Sequence, residues 1–422
     1  MFLLQALRRA CARYLAPART QLLRCDPDAI SFPPGNHLPD ISSQQTSDAL
    51  SLAAQHLNSL NVVVFPTETV YGLGALALKS DASAKIFSTK GRPADNPLIV
   101  HVSSFTMLQT LLPPGYTMSP AYQALTKHFW PGALTLLFPR DPHIIPNIIT
   151  AGQATVAIRM PSHPVARALI AVTNGPLAAP SANTSGKPSP TKAEHVLRDL
   201  DGKIPLILDG GPCDVGLEST VVDGLHADGN IRVLRPGGIT VEEIERVLKL
   251  ELAGGKEDTD IVIPKVLVHR RDYRDEAMEQ APTTPGMKYR HYSPSVPVTL
   301  LHTSTQPPDG QDSISVTSFF ASLHSASGAK AKVGVLASTD SKIWEHVKVE
   351  DGVKWHKYTL GPVAEPAVAA QRLFDGLLTL EQEGVDLILI EEILEEREGL
   401  AVMNRVRKAV GESRWIDFNS CE

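Results

Sequence analysis

The sequence predicts a two-domain α/β protein, and three observations carry that reading. Its 422 residues are more than a single core ordinarily organises. Short β-branched runs alternate with stretches whose apolar residues recur every three or four positions. Between residues 251 and 280 the chain turns charged and loses that periodicity, as a connection between two units does.

Taken in order, Ser47 or Asp48 can cap a helix whose Leu50, Ala53, Ala54, Leu57 and Leu60 share one face, and the β-branched run 62–65 after it suits a buried strand. Further strands are expected at 97–102, 134–138, 155–159, 204–208, 219–222 and 231–234, with helices at 164–172, 193–200 and 241–250. Residues 46–250 therefore form a mixed α/β domain behind an N-terminal extension, 1–45. The linker spans 251–295, with one strand-like run at 261–268. Beyond it come strands 298–302, 332–337, 354–359 and 385–390, interleaved with helices 315–323, 365–382 and 400–410. That alternation suggests a smaller parallel-sheet domain over 296–422. In its long helix Leu373, Leu377 and Leu380 lie beside Phe374 and Leu378, a spacing that packs a core.

Composition narrows the function. With 43% hydrophobic and 20% charged residues the chain is expected to be soluble and folded. A formal charge of −6 gives no overall attraction to nucleic acid, so any weak RNA contact needs a local basic patch. Cys11, Cys25, Cys213 and Cys421 are widely separated, which disfavours a zinc site or a disulfide framework. No stretch reaches the roughly 18 uninterrupted apolar residues of a membrane span, so no membrane partner is expected. The first 25 residues carry five arginines after Met1 and no acid. This fits a mitochondrial transit peptide and equally a basic tail; the cytoplasm is the expected location and the mitochondrion a second one.

The chemistry is concentrated in a few segments. Pro66-Thr-Glu-Thr-Val-Tyr-Gly-Leu-Gly74 puts hydroxyls and a carboxylate at the end of a buried strand, suited to a small polar ligand near backbone amides. A dinucleotide fingerprint at Gly72, Gly74 and Ala77 fits less well, because six residues separate it from the strand. Lys90-Gly-Arg-Pro holds Arg92 extended before proline, where its guanidinium can be aimed at phosphate, and His101 closes the strand that follows. Arg159-Met-Pro and Arg235-Pro-Gly-Gly repeat the theme, so three arginines at strand ends suggest one anion site. Pro180-Ser-Ala-Asn-Thr-Ser-Gly-Lys-Pro-Ser189 supplies Ser181, Asn183, Ser185 and Ser189 before a helix, yet it is not a Walker loop. Glu218, Ser219 and Thr220 open another strand. Gly286-Met-Lys-Tyr-Arg-His-Tyr-Ser-Pro294 is basic and aromatic, which is unusual in a linker; it can stack on a base or serve only as a stiff hinge.

Together these segments resemble the YrdC-type threonylcarbamoyl-AMP synthases in their two-domain form. The resemblance implies a YrdC-like twisted-sheet α/β domain with a concave basic cavity, followed by a Rossmann-like α/β domain. It implies that threonine is held around Thr69, His101, Arg159, Ala179 and Ser219. ATP would meet Lys90, Arg92, Asn96, Thr155, Ser181, Ser189, Arg235 and a linker tyrosine, Tyr292 or alternatively Tyr289, with Lys90 and Arg92 nearest the chemistry. The reaction implied joins bicarbonate to L-threonine and activates the carbamate on ATP, with Mg²⁺ accompanying the nucleotide. The product would pass to a tRNA threonylcarbamoyl transferase complex. Two other classes are an RNA-binding protein using the same cavity, which lacks a recognition motif here, and a carbamoyl transferase, which lacks the acylphosphatase-like or zinc-finger-like segments of larger carbamoylating enzymes.

Overall fold

The computed structural model describes residues 19–35, 37–253, 263–284, 291–323, 331–347 and 352–418. Two sheets organise them. Across the larger one lie Gln21–Arg24, Leu206–Asp209, Val63–Phe65, Gly72–Leu76, Leu177–Ala178, Val100–His101, Thr155–Arg159, Leu134–Pro139, Thr220–Asp223, Ile231–Arg235 and Val266–Val268. Pairing is mixed: Val63–Phe65 runs antiparallel to Gly72–Leu76, while Val100–His101 runs parallel to Thr155–Arg159 with His101 opposite Arg159.

Both faces of this sheet are covered, as period-two alternation requires. Val63 and Phe65 join a core with Leu50 and Leu57 of helix Gln44–Asn58 and Leu169 of helix Pro164–Thr173. Val64 joins the opposite core with Ile86, Leu125 and Ile244, from helices Ser80–Lys90, Pro120–Phe129 and Val241–Leu252.

The smaller sheet has the spatial order Ile314–Ser315, Glu412–Asp417, Val298–His302, Leu387–Glu391, Lys332–Ala337, Lys354–Thr359, and every pairing is parallel. Leu300, Ile388 and Ile390 pack under helices Pro366–Gln382 and Glu398–Ala409, and Leu301 and Leu389 pack under helix Val316–Ser322 on the other side. Leu373, Leu377 and Leu380 are buried in the first of these cores, as their spacing predicts.

Several boundaries differ from the sequence reading. The first helix begins at Gln44 and is capped by Ser43, whose side chain accepts the amide of Thr46, so Ser47 and Asp48 lie inside it. Gln21–Arg24, within the N-terminal extension, is an edge strand parallel to Leu206–Asp209. Removal of a leader would leave the sheet whole only if cleavage fell before Gln21. Gly72–Leu76, to which the sequence reading assigned no strand, is a buried strand; a Cβ on Gly74 would sit 2.5 Å from the Phe65 ring. Val266–Val268, inside the expected linker, extends the larger sheet beside Ile231–Arg235.

The two units meet closely. A Cβ on Gly216, whose φ is +75°, would stand 2.4 Å from the Gln371 backbone, so only glycine lets the chains approach there. Val70 and Leu217 of the first unit and Tyr292 of the linker pack into the second unit's core. Lys192 Nζ lies 2.7 Å from Asp375 Oδ1 across the same boundary.

Candidate functional site

At the ends of the central strands a cavity of about 60 Å³ is lined by Thr69, Val70, Arg92, Ile99, His101, Arg159, Ala179, Pro180, Ser181, Glu218, Ser219, Arg235, His291 and Tyr292. Nine of the residues expected from sequence are on this lining, although they come from loops up to 223 residues apart, from Thr69 to Tyr292. The sheet brings them together. The turn after Val63–Phe65 presents Thr69, adjacent parallel strands end on His101 and Arg159, and the Ser219 and Arg235 segments flank an antiparallel pair.

One end of the cavity is a hydrogen-bonded polar lattice. Arg159 Nη1 donates to Thr69 Oγ1 at 2.9 Å, Nη2 to Glu68 Oε1 at 2.5 Å, and Nε to the Gly132 carbonyl at 3.1 Å. Thr69 Oγ1 also lies 2.8 Å from Thr67 Oγ1, and Ser219 Oγ lies 2.8 Å from Thr135 Oγ1. Burial and the neighbouring Arg159 push His101 down to about 3, so its ring is neutral at physiological pH. This end offers small hydroxyls, one neutral imidazole and one guanidinium, a set that suits a small amino acid with a carboxylate.

The other end is cationic. Arg92 donates Nε to the Asn96 carbonyl at 3.2 Å and Nη2 to that of Pro97 at 2.9 Å, which fixes the guanidinium. Arg235 Nε and Nη2 reach the Ser219 carbonyl at 3.2 and 2.9 Å. Burial lowers both arginines, Arg92 to about 10, with the Arg235 charge adding to the fall at Arg92 and Arg405 and Arg159 adding to it at Arg235. Cations this deep are costly unless an anion joins them, and a polyphosphate is the fitting class. Burial works against ionising Glu218, yet Arg405, Arg235 and the Ser189 hydroxyl hold it below the ordinary carboxylate range.

Four expected site residues lie outside the lining. Lys90 Nζ is spent on the carbonyls of Ser181 and Asn183, both at 2.5 Å, behind the serine-rich loop, and burial followed by Arg92 holds it well below the usual lysine range. Ser189 stands one bond away, donating to Glu218 Oε1 at 2.6 Å. Asn96 is buried beside Arg92, and its Oδ1 makes no hydrogen bond among the described residues. Thr155 begins the strand that Arg159 ends, about 13 Å away at strand rise.

Of the linker motif, residues 286–290, including Tyr289, lie outside the described residues. His291 and Tyr292 are on the lining, with Tyr292 at φ +67° and only 5% exposed. Its ring packs 5.2 Å from Phe374, and burial pushes its hydroxyl up to about 12. Burial and Arg92 push His291 down to about 4. Glu68 and Arg405 are members of this site that the sequence reading did not single out. Glu68 sits between two threonines that look like ligands, and Arg405 sits on a distant helix.

Residues 55–237 match a family model described as Telomere recombination, and residues 239–411 one described as Threonylcarbamoyl-AMP synthase, C-terminal domain. The chain is 43% identical over 390 residues to the threonylcarbamoyl-AMP synthase of Schizosaccharomyces pombe, covering 87% of this chain and 90% of that one. It is 43% identical over 363 residues to that of Bacillus subtilis, covering 86% and 93%. Among solved structures, P. abyssi Sua5 complexed with L-threonine is similar at a TM-score of 0.72 and 37% identity, over 94% of this chain and 100% of the other.

Proposed function

The chain belongs to the threonylcarbamoyl-AMP synthase family, and from that membership we propose that it makes threonylcarbamoyl-AMP and pyrophosphate from L-threonine, bicarbonate and ATP. The observation that supports this most directly is that one cavity gathers small hydroxyls around Arg159 together with two further buried arginines, Arg92 and Arg235. Threonine belongs at Thr69, His101, Arg159, Ala179 and Ser219, with its carboxylate toward Arg159. The triphosphate belongs toward Arg92 and Arg235, with Ser181, Ser189 and Tyr292 around the nucleotide. Lys90 and Asn96 support this end from behind the lining, while Thr155, about 13 Å from Arg159 along its strand, lies outside it.

The threonine amine adds to bicarbonate and loses water, giving a carbamate. Its oxygen then attacks the α-phosphorus of ATP as pyrophosphate leaves. That displacement needs alignment and neutralised charge more than a strong base, and fixed arginines supply both without reorganising. Neutral His101 keeps one ring N–H to donate and adds no positive charge beside Arg159. Mg²⁺ enters with ATP as part of the substrate. Among the described residues no cluster of three His, Cys, Asp or Glu side chains could cage a metal, and Glu68 and Glu218 are already engaged. The product is consumed by a tRNA threonylcarbamoyl transferase complex that installs threonylcarbamoyl-adenosine beside the anticodon. No helix among the described residues is long and apolar enough to cross a membrane, and we place the reaction in the cytoplasm, with the mitochondrion as a second site if the first residues act as a leader.

The deciding experiment follows labelled bicarbonate into a product that requires both threonine and ATP, with pyrophosphate formed in equal amount. Tight RNA binding without such a product, or a requirement for carbamoyl phosphate as donor, would replace this reading.

A further inference from the structure

Arg405 belongs to helix Glu398–Ala409 of the C-terminal domain, yet its side chain is 0% exposed and reaches the edge of the cavity in the first domain. Its Nε donates to Glu218 Oε2 at 3.1 Å, and its Nη1 donates to the carbonyls of Pro236 and, at 3.3 Å, Ala401. One guanidinium therefore grips both the residue before Ser219 and the residue after Arg235. The other oxygen of Glu218 accepts the Ser189 hydroxyl at 2.6 Å, and Arg405 Cζ stands 6.0 Å from the Tyr292 ring centre. Ser189, Glu218, Arg235 and Tyr292 thus share one cation delivered from the other domain.

We propose that Arg405 is a positioning residue for the nucleotide end of the cavity, acting through Glu218 on Ser189 and through Pro236 on Arg235. This rests on reading the cavity as a threonine and ATP site. A carboxylate buried beside a polyphosphate repels it unless a cation matches its charge. Arg405 neutralises Glu218 from the side away from Ser189, so Glu218 can orient the serine without cancelling the field that attracts the triphosphate. The C-terminal domain is then part of the catalytic site's second half and not only its support.

Domain docking alone would be a simpler role, and a second contact separates the two. Lys192 pairs with Asp375 at 2.7 Å across the same boundary, but neither residue lines the cavity. The test is steady-state pyrophosphate formation by the full chain, titrating ATP and threonine separately, for wild type, Arg405→Met, Arg405→Lys and Lys192→Met. The expected result is a rise of about tenfold or more in the KM for ATP in Arg405→Met with less than about a twofold change for threonine, since tenfold corresponds to roughly the loss of one charge-assisted contact. Arg405→Lys recovers part of it and Lys192→Met leaves both constants unchanged. An equal rise for both substrates, an equal rise in Lys192→Met, or no change in folded Arg405→Met overturns the proposal. Should Arg405→Met not fold, Arg405→Gln, which keeps a polar side chain without the charge, makes the same comparison, an unchanged KM for ATP again being fatal. A wild-type chain that forms no pyrophosphate would instead sink the reading on which this rests.

Discussion

Arg159 and Glu68 form a buried ion pair, 2.5 Å between Nη2 and Oε1, with the two side chains 4% and 9% exposed. Glu68 Oε2 also accepts the Ser162 amide at 3.2 Å, so the carboxylate ties the Thr69 and Arg159 side of the cavity to the turn after Arg159. Removing one partner of such a pair leaves an unmatched buried charge, which costs about 3–5 kcal/mol. Glu68→Gln should therefore lose roughly 3 kcal/mol of stability and raise the KM for threonine about tenfold. Denaturant unfolding and pyrophosphate assays measure the two. An unchanged KM in the folded variant would show that Arg159 does not need Glu68 to face the substrate.

Arg92 is pinned by two carbonyls and so adds field without losing entropy when ATP arrives. Arg92→Ala removes a charge-assisted donor worth about 1.5–3 kcal/mol. Pyrophosphate formation should fall at least tenfold at saturating threonine, at about 1.4 kcal/mol per factor of ten. Circular dichroism confirms the fold; turnover equal to wild type would exclude Arg92 from the triphosphate.

Much of this was legible in the sequence where local signals and burial agree. Leu373, Leu377 and Leu380 announce their helix because its core face has helical period. Arg92, Arg159 and Arg235, each followed closely by a proline that fixes the backbone, announce a shared location, and all three reach one lining. Elements shaped by distant partners were not legible. Gly72–Leu76 has no β-branched residue; it pairs with Val63–Phe65, and its Gly74 is where the Phe65 ring leaves no room for a Cβ, so that glycine serves packing and does not mark a turn. Glu412–Asp417 alternates charge with bulk and reads as surface, although it lies between two parallel strands. Arg405 sits in an Arg-Val-Arg-Lys run that looks like a solvated helix face, and Glu218, its partner, lies 187 residues away. No spacing rule links them.

The histidines predict acid lability with a defined sign. His101 has its folded value pushed down to about 3 by burial and then Arg159, against about 6.5 unfolded. Between those values the unfolded chain binds the proton and the folded chain does not, so stability is present above pH ~6.5 and lost as pH falls toward 3. The slope from this group alone is about 1.4 kcal/mol per pH unit. His101→Gln should flatten that part of a plot of unfolding free energy against pH. A slope identical to wild type would mean that His101 is protonated in the folded protein or accessible in both states.

Selection of threonine rests on its hydroxyl. Thr69 and Ser219 each already hold one hydroxyl partner, and a substrate lacking its own leaves polar groups in this cavity unmatched. Serine should be used poorly and valine far less, with valine at least about a hundredfold below threonine in kcat/KM. Comparable turnover of valine and threonine would place the side chain away from these hydroxyls.

Tyr292 must move for ATP to enter. The cavity of about 60 Å³ is well below the roughly 300–1,000 Å³ usual for ligand pockets, and His291 and Tyr292 supply part of its wall. The tyrosine is held by the Phe374 ring and by a φ of +67°, a conformation unfavourable for a bulky residue and therefore easy to leave once a ligand competes. A wall of this kind excludes water from the mixed anhydride while it is bound and opens to release pyrophosphate. Tyr292→Ala should bind ATP about as fast but protect the product less, so pyrophosphate released should exceed threonylcarbamoyl-AMP recovered by at least about threefold, while Tyr292→Phe, which keeps the ring on Phe374, should stay near one to one. The ratio is read by quantifying both products in the same reaction. A one-to-one ratio in folded Tyr292→Ala would mean that the segment joins the domains without sealing the site.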